Sequence, residues 1–187
     1  MSSLRRVTSL FSVVTVSAIL SGCATIPAEQ CASMNWNALG MEDGRSGHAA
    51  SRLDLHRDAC RKVQVEPDAR AWESGRKAGL KQYCQLPNAI ERGLARDEYE
   101  QVCSDPNFAR LYTAARRVAD ARHQVEYSDS QIDMKERELL TNKSLSDKRR
   151  GELMAEVRSL QRNRNRASED RFAAERDLDH LRRELSI

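Results

Sequence analysis

Leu111, Val118, Val125, Ile132 and Leu139 recur at seven-residue intervals, and Ala114, Ala121 and Ser128 stand three residues after the first three of them. Neither Pro nor Gly interrupts the chain from Asn107 to Arg150. A seven-residue apolar repeat keeps one stripe on one side of an α-helix for many turns, whereas a strand needs a period of two. The pattern predicts a long helix with a narrow seam that another helix must cover. Asp105 and Pro106 suit its N-cap and first turn. The repeat fails through residues 141–147, Thr-Asn-Lys-Ser-Leu-Ser-Asp, a cluster of turn and capping residues. A second register follows at Leu153, Val157, Leu160, Ala167, Ala174, Leu178, Leu181 and Leu185, with Arg164 and Arg171 at two of its core positions. Two helices of similar length joined by a short polar turn fold back most simply as an antiparallel coiled-coil hairpin, each arm about 50–60 Å long. The alternative is one continuous helix in a parallel oligomer; the turn cluster favours the hairpin. Gly151 is a weak point one turn into the second arm.

Composition divides the chain near Asp105-Pro106. Residues 24–107 hold all four Pro, both Trp and every Cys except Cys23, whereas residues 108–187 hold none of these. The first part carries 11 basic against 13 acidic residues and the second 18 against 15. Balances this small leave no electrostatic footprint for nucleic acid. The basic stretch Arg158, Arg162, Arg164 and Arg166 could meet lipid phosphates, but acids nearby make a solvated flank the simpler reading.

At the amino end, Arg5 and Arg6 precede an uncharged apolar run, Val7 to Leu20, too short to span a bilayer and shaped like a signal h-region. Leu20-Ser21-Gly22-Cys23 then resembles a bacterial lipobox. That resemblance implies a diacylglyceryl group on the Cys23 thiol, removal of residues 1–22, and an N-acyl chain on the new terminus. Three acyl chains exceed what stable anchoring requires. Ala24 is not the Asp that resembles an inner-membrane retention signal. The expectation is a protein anchored by lipid to the outer membrane, facing the periplasm, with residues 23–30 as a short tether.

Four cysteines remain: Cys31, Cys60, Cys84 and Cys103. An even number in an oxidising compartment reads as two disulfides. Three connectivities exist, and Cys31–Cys60 with Cys84–Cys103 is favoured because each bridge closes a short loop without crossing. Each is worth about 3 kcal/mol in the chain-entropy picture. Zinc at His56 and Cys60, four apart on one helix face, is the competing reading, but no Cys-x-x-Cys accompanies it.

Residues 31–107 therefore read as a small disulfide-stapled helical domain. Ser51-x-x-Asp54 suits the start of one helix carrying His56 and Cys60. Pro67 and Asp68 suit the start of a second. Gly40/Gly44 and Gly75/Gly79 are paired at four-residue spacing, each pair shortly after a Trp, as in a faint duplication. Such pairs strip side chains from a helix face so that another backbone can approach, at a helix cost of up to about 1 kcal/mol apiece.

The ordered set Cys31, Trp36, Gly40, Asp43-Gly44, Gly47, His56, Cys60, Gly75, Gly79-Leu80, Tyr83-Cys84, Gly93, Tyr99, Cys103, Phe108 and Tyr112 resembles a family of bacterial envelope lipoproteins known only as domain of unknown function 2799. The resemblance covers about Cys31 to Tyr112. Two departures stand out: Asn35 where an acid is expected before the Trp, and a single glycine between Leu86 and Asp97. The family implies compartment and fold, and no activity.

The acid–base groups of this domain are Asp43, His48, Asp54 and His56. No nucleophile elbow, His-Glu-x-x-His helix, P-loop or dinucleotide loop accompanies them. His56 reads as a surface or core-rim histidine, and no cofactor or metal is expected. The fold class expected is all-α, with a structural or adaptor role in which residues 108–187 pair with an envelope protein or with themselves. A second reading is a small-ligand or cell-wall module using Trp36, Trp72, Asp43 and Arg45, with residues 43–47 as a glycine-rich turn holding an anion on its amides. A hydrolase using His48 or His56 is a third.

Overall fold

A computed structural model describes residues 26–187, so the leader and Cys23 with its expected acyl chains lie outside the described residues. The described chain is all-α: α1 (Trp36–Arg45), α2 (Arg52–Cys60), α3 (Ala69–Tyr83), α4 (Leu86–Ala95), α5 (Pro106–Thr141) and α6 (Asp147–Glu184), with 3₁₀ turns at Ala28–Ser33 and Arg61–Val63. Short polar side chains start four of these helices. Asn35 accepts from the Ala38 amide, Asp68 from Arg70 and Ala71, Asp105 from Asn107, and Ser146 from Arg149. Each satisfies amides that the helix itself leaves unpaired. Asn35 thus does what an acid would do there, since Asn and Asp cap about equally well. Ser51 is different: its backbone is already helical and its side chain caps nothing, so the expected capping box is not formed.

The long hairpin is formed. Arg110 meets Glu184 at 3.1 Å, Arg117 meets Asp177 at 3.4 Å, Arg122 meets Glu175 at 2.8 Å and Arg149 meets Glu138 at 3.7 Å, so numbers rise along α5 as they fall along α6. Leu111, Val118 and Val125 are buried from α5, and Leu153, Val157, Ala167, Ala174, Leu178 and Leu181 from α6. Ile132, Leu139, Leu160 and Leu185 are only half-buried. Of the seam arginines, Arg164 leads its charge outward to Asp129 at 3.1 Å, whereas Arg171 keeps its Nε buried and its guanidinium 4.6 Å from the Phe172 ring centre.

A second face of α5 was not legible in the seam. Ala115 and Ala119 are buried on it, where α4 packs. On α4, Ala89 and Gly93 are buried, and a Cβ at Gly93 would crowd the Tyr112 carbonyl and the Ala115 methyl. The signal for α4 was present as Leu86, Ala89, Ile90 and Gly93, a three–four spacing of small and apolar residues. One apolar cluster consequently runs across the compositional break, from Tyr83 and Ala89 through Phe108, Leu111, Ala115 and Val118 to Ala174, Leu178 and Leu181.

A second cluster holds Ile26, Cys31, Trp36, Cys60 and Trp72. Ile26 is 5% exposed, so the expected tether over 23–30 is packed into the domain by its fourth residue. The disulfides are Cys31–Cys60 and Cys84–Cys103, with Cα separations of 5.7 and 5.4 Å. The first closes the Trp72 cluster; the second ties the end of α3 to the segment entering α5.

Candidate functional site

Of the sequence-predicted residues, Trp36, Asp43, His56 and Trp72 converge beside the crossing of α1 and α3, whereas Arg45, His48 and Asp54 do not. A Cβ on Gly40 or Gly44 would overlap the carbonyls of Trp72 or Arg76, and one on Gly75 or Gly79 those of Asn37 or Met41. Each α3 glycine and each carbonyl it would strike is related to its α1 counterpart by the same offset of 35 residues. The two helices therefore run parallel, backbone against backbone, with local two-fold symmetry. The tryptophans break it, lying 36 residues apart. Trp36 and Trp72 are not equivalents but two different walls of one polar pocket in the core.

Inside that pocket, Asp43 Oδ2 accepts hydrogen bonds from Trp72 Nε1 at 2.7 Å and His56 Nε2 at 2.8 Å. Arg52 approaches Oδ1 at 3.7 Å. The His56 ring stands edge-on to Trp72 at 6.2 Å and tilted against Trp36 at 6.4 Å. Burial alone would raise the Asp43 carboxyl pKa. The His56 and Trp72 hydrogen bonds, with the nearby charges of His56 and Arg52, outweigh it and hold the group below the usual carboxylate range. Asp43, His56 and Trp72 are 6%, 1% and 1% exposed. His56 is thus a core residue and not the rim residue expected.

This arrangement corrects the ligand-binding expectation. Trp36 is 9% exposed, so neither indole offers a face on which a sugar ring could stack. Asp43, Gly44 and Arg45 are the last turn of α1 and not an open glycine turn, and only Gly47, at φ 79°, has the left-handed backbone expected of one. Arg45 points outward and donates to Gln82 Oε1 at 3.0 Å. The zinc reading is also displaced, because the Cys60 sulfur is bonded to Cys31 and His56 faces Asp43.

His48 is held elsewhere. Its Nδ1 lies 2.9 Å from Glu100 Oε1, while Glu100 Oε2 accepts from the Ala49 amide at 2.9 Å. Burial pushes the Glu100 carboxyl up, and these bonds more than reverse that, leaving it below its ordinary value. Arg76 joins this loop to the core: it donates to the His48 carbonyl at 3.1 Å, forks onto Glu73 and lies 5.6 Å from the Trp72 ring centre. Glu100 carried no local signal, since its partners lie about fifty residues earlier. His48 and His56 each serve a separate carboxylate, and both hold elements together.

On the hairpin, Tyr127, Met134, Leu140, Met154 and Phe172 are each at least half exposed or nearly so, at 49–80%. Arg158, Arg162 and Arg166 are exposed on α6, whereas Arg164 is spent on Asp129. No curated protein and no solved structure matches the chain. The segment that does match a family begins at the α1 cap and ends inside α5, so it takes in the glycine crossing, the Asp43 pocket, the second disulfide and α4 with the first turns of α5. Residues 35–117 match the family described as Protein of unknown function (DUF2799).

Proposed function

We propose that this chain is a lipid-anchored envelope protein with a structural or adaptor role, acting by protein–protein contact through its hairpin and without catalysis of its own. The observation that carries the reading is the contrast between its two ends. The family segment spends its polar and aromatic residues inward, on Asp43, His56 and Trp72. Beyond Val118 and Ala174, the helices of the hairpin have left the larger apolar cluster and display Met134, Leu140 and Met154 to solvent. Large apolar side chains left in solvent on a charged rod support a contact role when a partner covers them together. On this reading the anchor is the acylated Cys23 at the outer membrane. Ile26 follows three residues later, so the folded domain sits within about 11 Å of the lipidated residue at the maximum reach of an extended chain.

The test is cross-linking in intact cells from photo-reactive residues placed singly at Met134, Leu140 and Met154, followed by mass spectrometry. Recovery of one defined protein, or of the chain itself, from these positions and not from Arg45 is the expected result. An equal spread of products from all four positions would end the adaptor reading.

A further inference from the structure

The two flanks of the hairpin are built differently. Along one flank, Arg110–Glu184, Arg117–Asp177 and Glu138–Arg149 close across the seam. The other flank closes two such pairs, Arg122–Glu175 and Asp129–Arg164, with Arg122, Asp129 and Glu175 each four residues after a seam residue, Val118, Val125 and Arg171. Toward the tip, that second flank carries Glu126, Asp133 and Glu136 on α5 and Arg158 on α6, with Arg162 at its edge. All five are exposed, and among the described residues none enters an ion pair within the chain. The segregation is general there. Residues 123–141 of α5 hold five acids against two bases, and residues 147–172 of α6 hold eight bases against five acids. On the same flank Leu140, Met154 and Phe172 are 80%, 49% and 53% exposed.

From this we infer that the tip half of the second flank, beyond the part of α5 that α4 covers, is where two copies of this chain pair side by side, with their hairpin tips at the same end and the hairpins diverging toward α4. The inference rests on the proposed contact role of the hairpin and names its occupant. Charge chooses both the occupant and the symmetry. A two-fold axis parallel to the hairpin sets the acidic α5 of one copy against the basic α6 of the other, twice. The four helices then form a checkerboard with like charges on the diagonals. An axis across the hairpin would set α5 on α5 and α6 on α6, placing acids on acids and arginines on arginines, which complementary interfaces avoid. The cross-seam pair of Lys135 and Glu156 fixes the level of the two arms, so Asp133 and Glu136 of one copy come level with Arg158 of the other. Leu140, Met154 and Phe172 supply apolar contact along the same line. Self-pairing by one patch on both copies is the closed, isologous kind.

The experiment uses the purified full chain with both disulfides intact, sized by analytical ultracentrifugation at low and high salt. One variant carries Asp133→Arg and Glu136→Arg, the other Arg158→Glu and Arg162→Glu. Circular dichroism confirms that each keeps its helix content, since none of the four residues is in the seam. The native chain is expected to dimerise, more weakly as salt rises, because exposed charges are screened. Each variant alone should self-associate at least about tenfold more weakly, through like-charge contact. Mixing the two should restore dimers, because both α5–α6 contacts then regain opposite signs. A native chain that stays monomeric overturns the inference. So do variants that dimerise as the native chain does, or a mixture that fails to recover. A monomer whose cell cross-links to another protein vanish in either variant would refute self-pairing while sparing the hairpin's contact role. A monomer that binds vesicles of anionic lipid, with loss only on Arg158→Glu and Arg162→Glu, would assign the arginines to a membrane instead.

Discussion

Asp43 joins α1 to α2 and α3 through one carboxylate. It is a nearly sealed carboxylate serving a histidine and an indole from two other helices. Replacing it with Asn keeps the volume but removes the charge that holds His56, and a loss of about 2–3 kcal/mol is expected in urea unfolding at neutral pH. The pH dependence has a definite sign. The folded carboxyl lies below its ordinary 3.8, so its contribution is fully present above that value and is lost as pH falls through the lower folded one. The stability gap between the native chain and Asp43→Asn should therefore shrink as pH falls below 3.8. A gap that widens with acid would mean that the group is protonated in the fold. The residue types of this pocket were visible in the sequence, and their union was not. Asp43 and His56 are thirteen residues apart, and no local spacing says that one helix will fold over the other.

At the scale of elements, glycine has opposite meanings in two helices. At Gly44 a Cβ would overlap the Arg76 carbonyl, so Gly44→Ala must push α1 off α3 and should cost about 3 kcal/mol or more, seen as loss of the cooperative thermal transition. At Gly151 nothing stands within 4 Å of the added carbon. Gly151→Ala should raise stability by about 0.5–1 kcal/mol, because alanine is the better helix former and meets no neighbour. An unchanged midpoint in the first variant would refute the close crossing. The four-residue glycine spacing announced a backbone approach correctly, but not that α1 and α3 would be each other's partner, nor that they would run parallel. The hairpin was more legible, since its register repeats over many turns and each repeat restates the same face. The α4 face of α5 was less so, because alanines there look like ordinary helix filler.

For the whole molecule, one observed disulfide and the acylation proposed for Cys23 bear on stability and place. Removing the second bridge as Cys84→Ser with Cys103→Ser should cost about 3 kcal/mol and loosen the junction of the two clusters, since the bridge joins the end of α3 to the entry of α5. Hydrogen exchange on α4 and the first turns of α5 would locate the loss there; exchange unchanged in that region would contradict it. Replacing Cys23 with Ser should abolish fatty-acid labelling and move the chain from the membrane to the soluble fraction after cell breakage. Persistence in the membrane would mean that something other than Cys23 holds it.

Periodicity alone determined the all-α class and the position and turn of the hairpin, while cysteine spacing favoured the two bridges that the structure holds. These are properties of one helix face or one short loop, written in residues near each other in sequence. Tertiary structure decided what the polar and aromatic residues are for. Trp36 and Trp72 became walls instead of platforms, His56 a core partner of Asp43, and the break at residue 107 a point that the apolar core crosses. Burial depends on which backbones approach each other, and that is set by contacts between elements and not by any pattern within one of them.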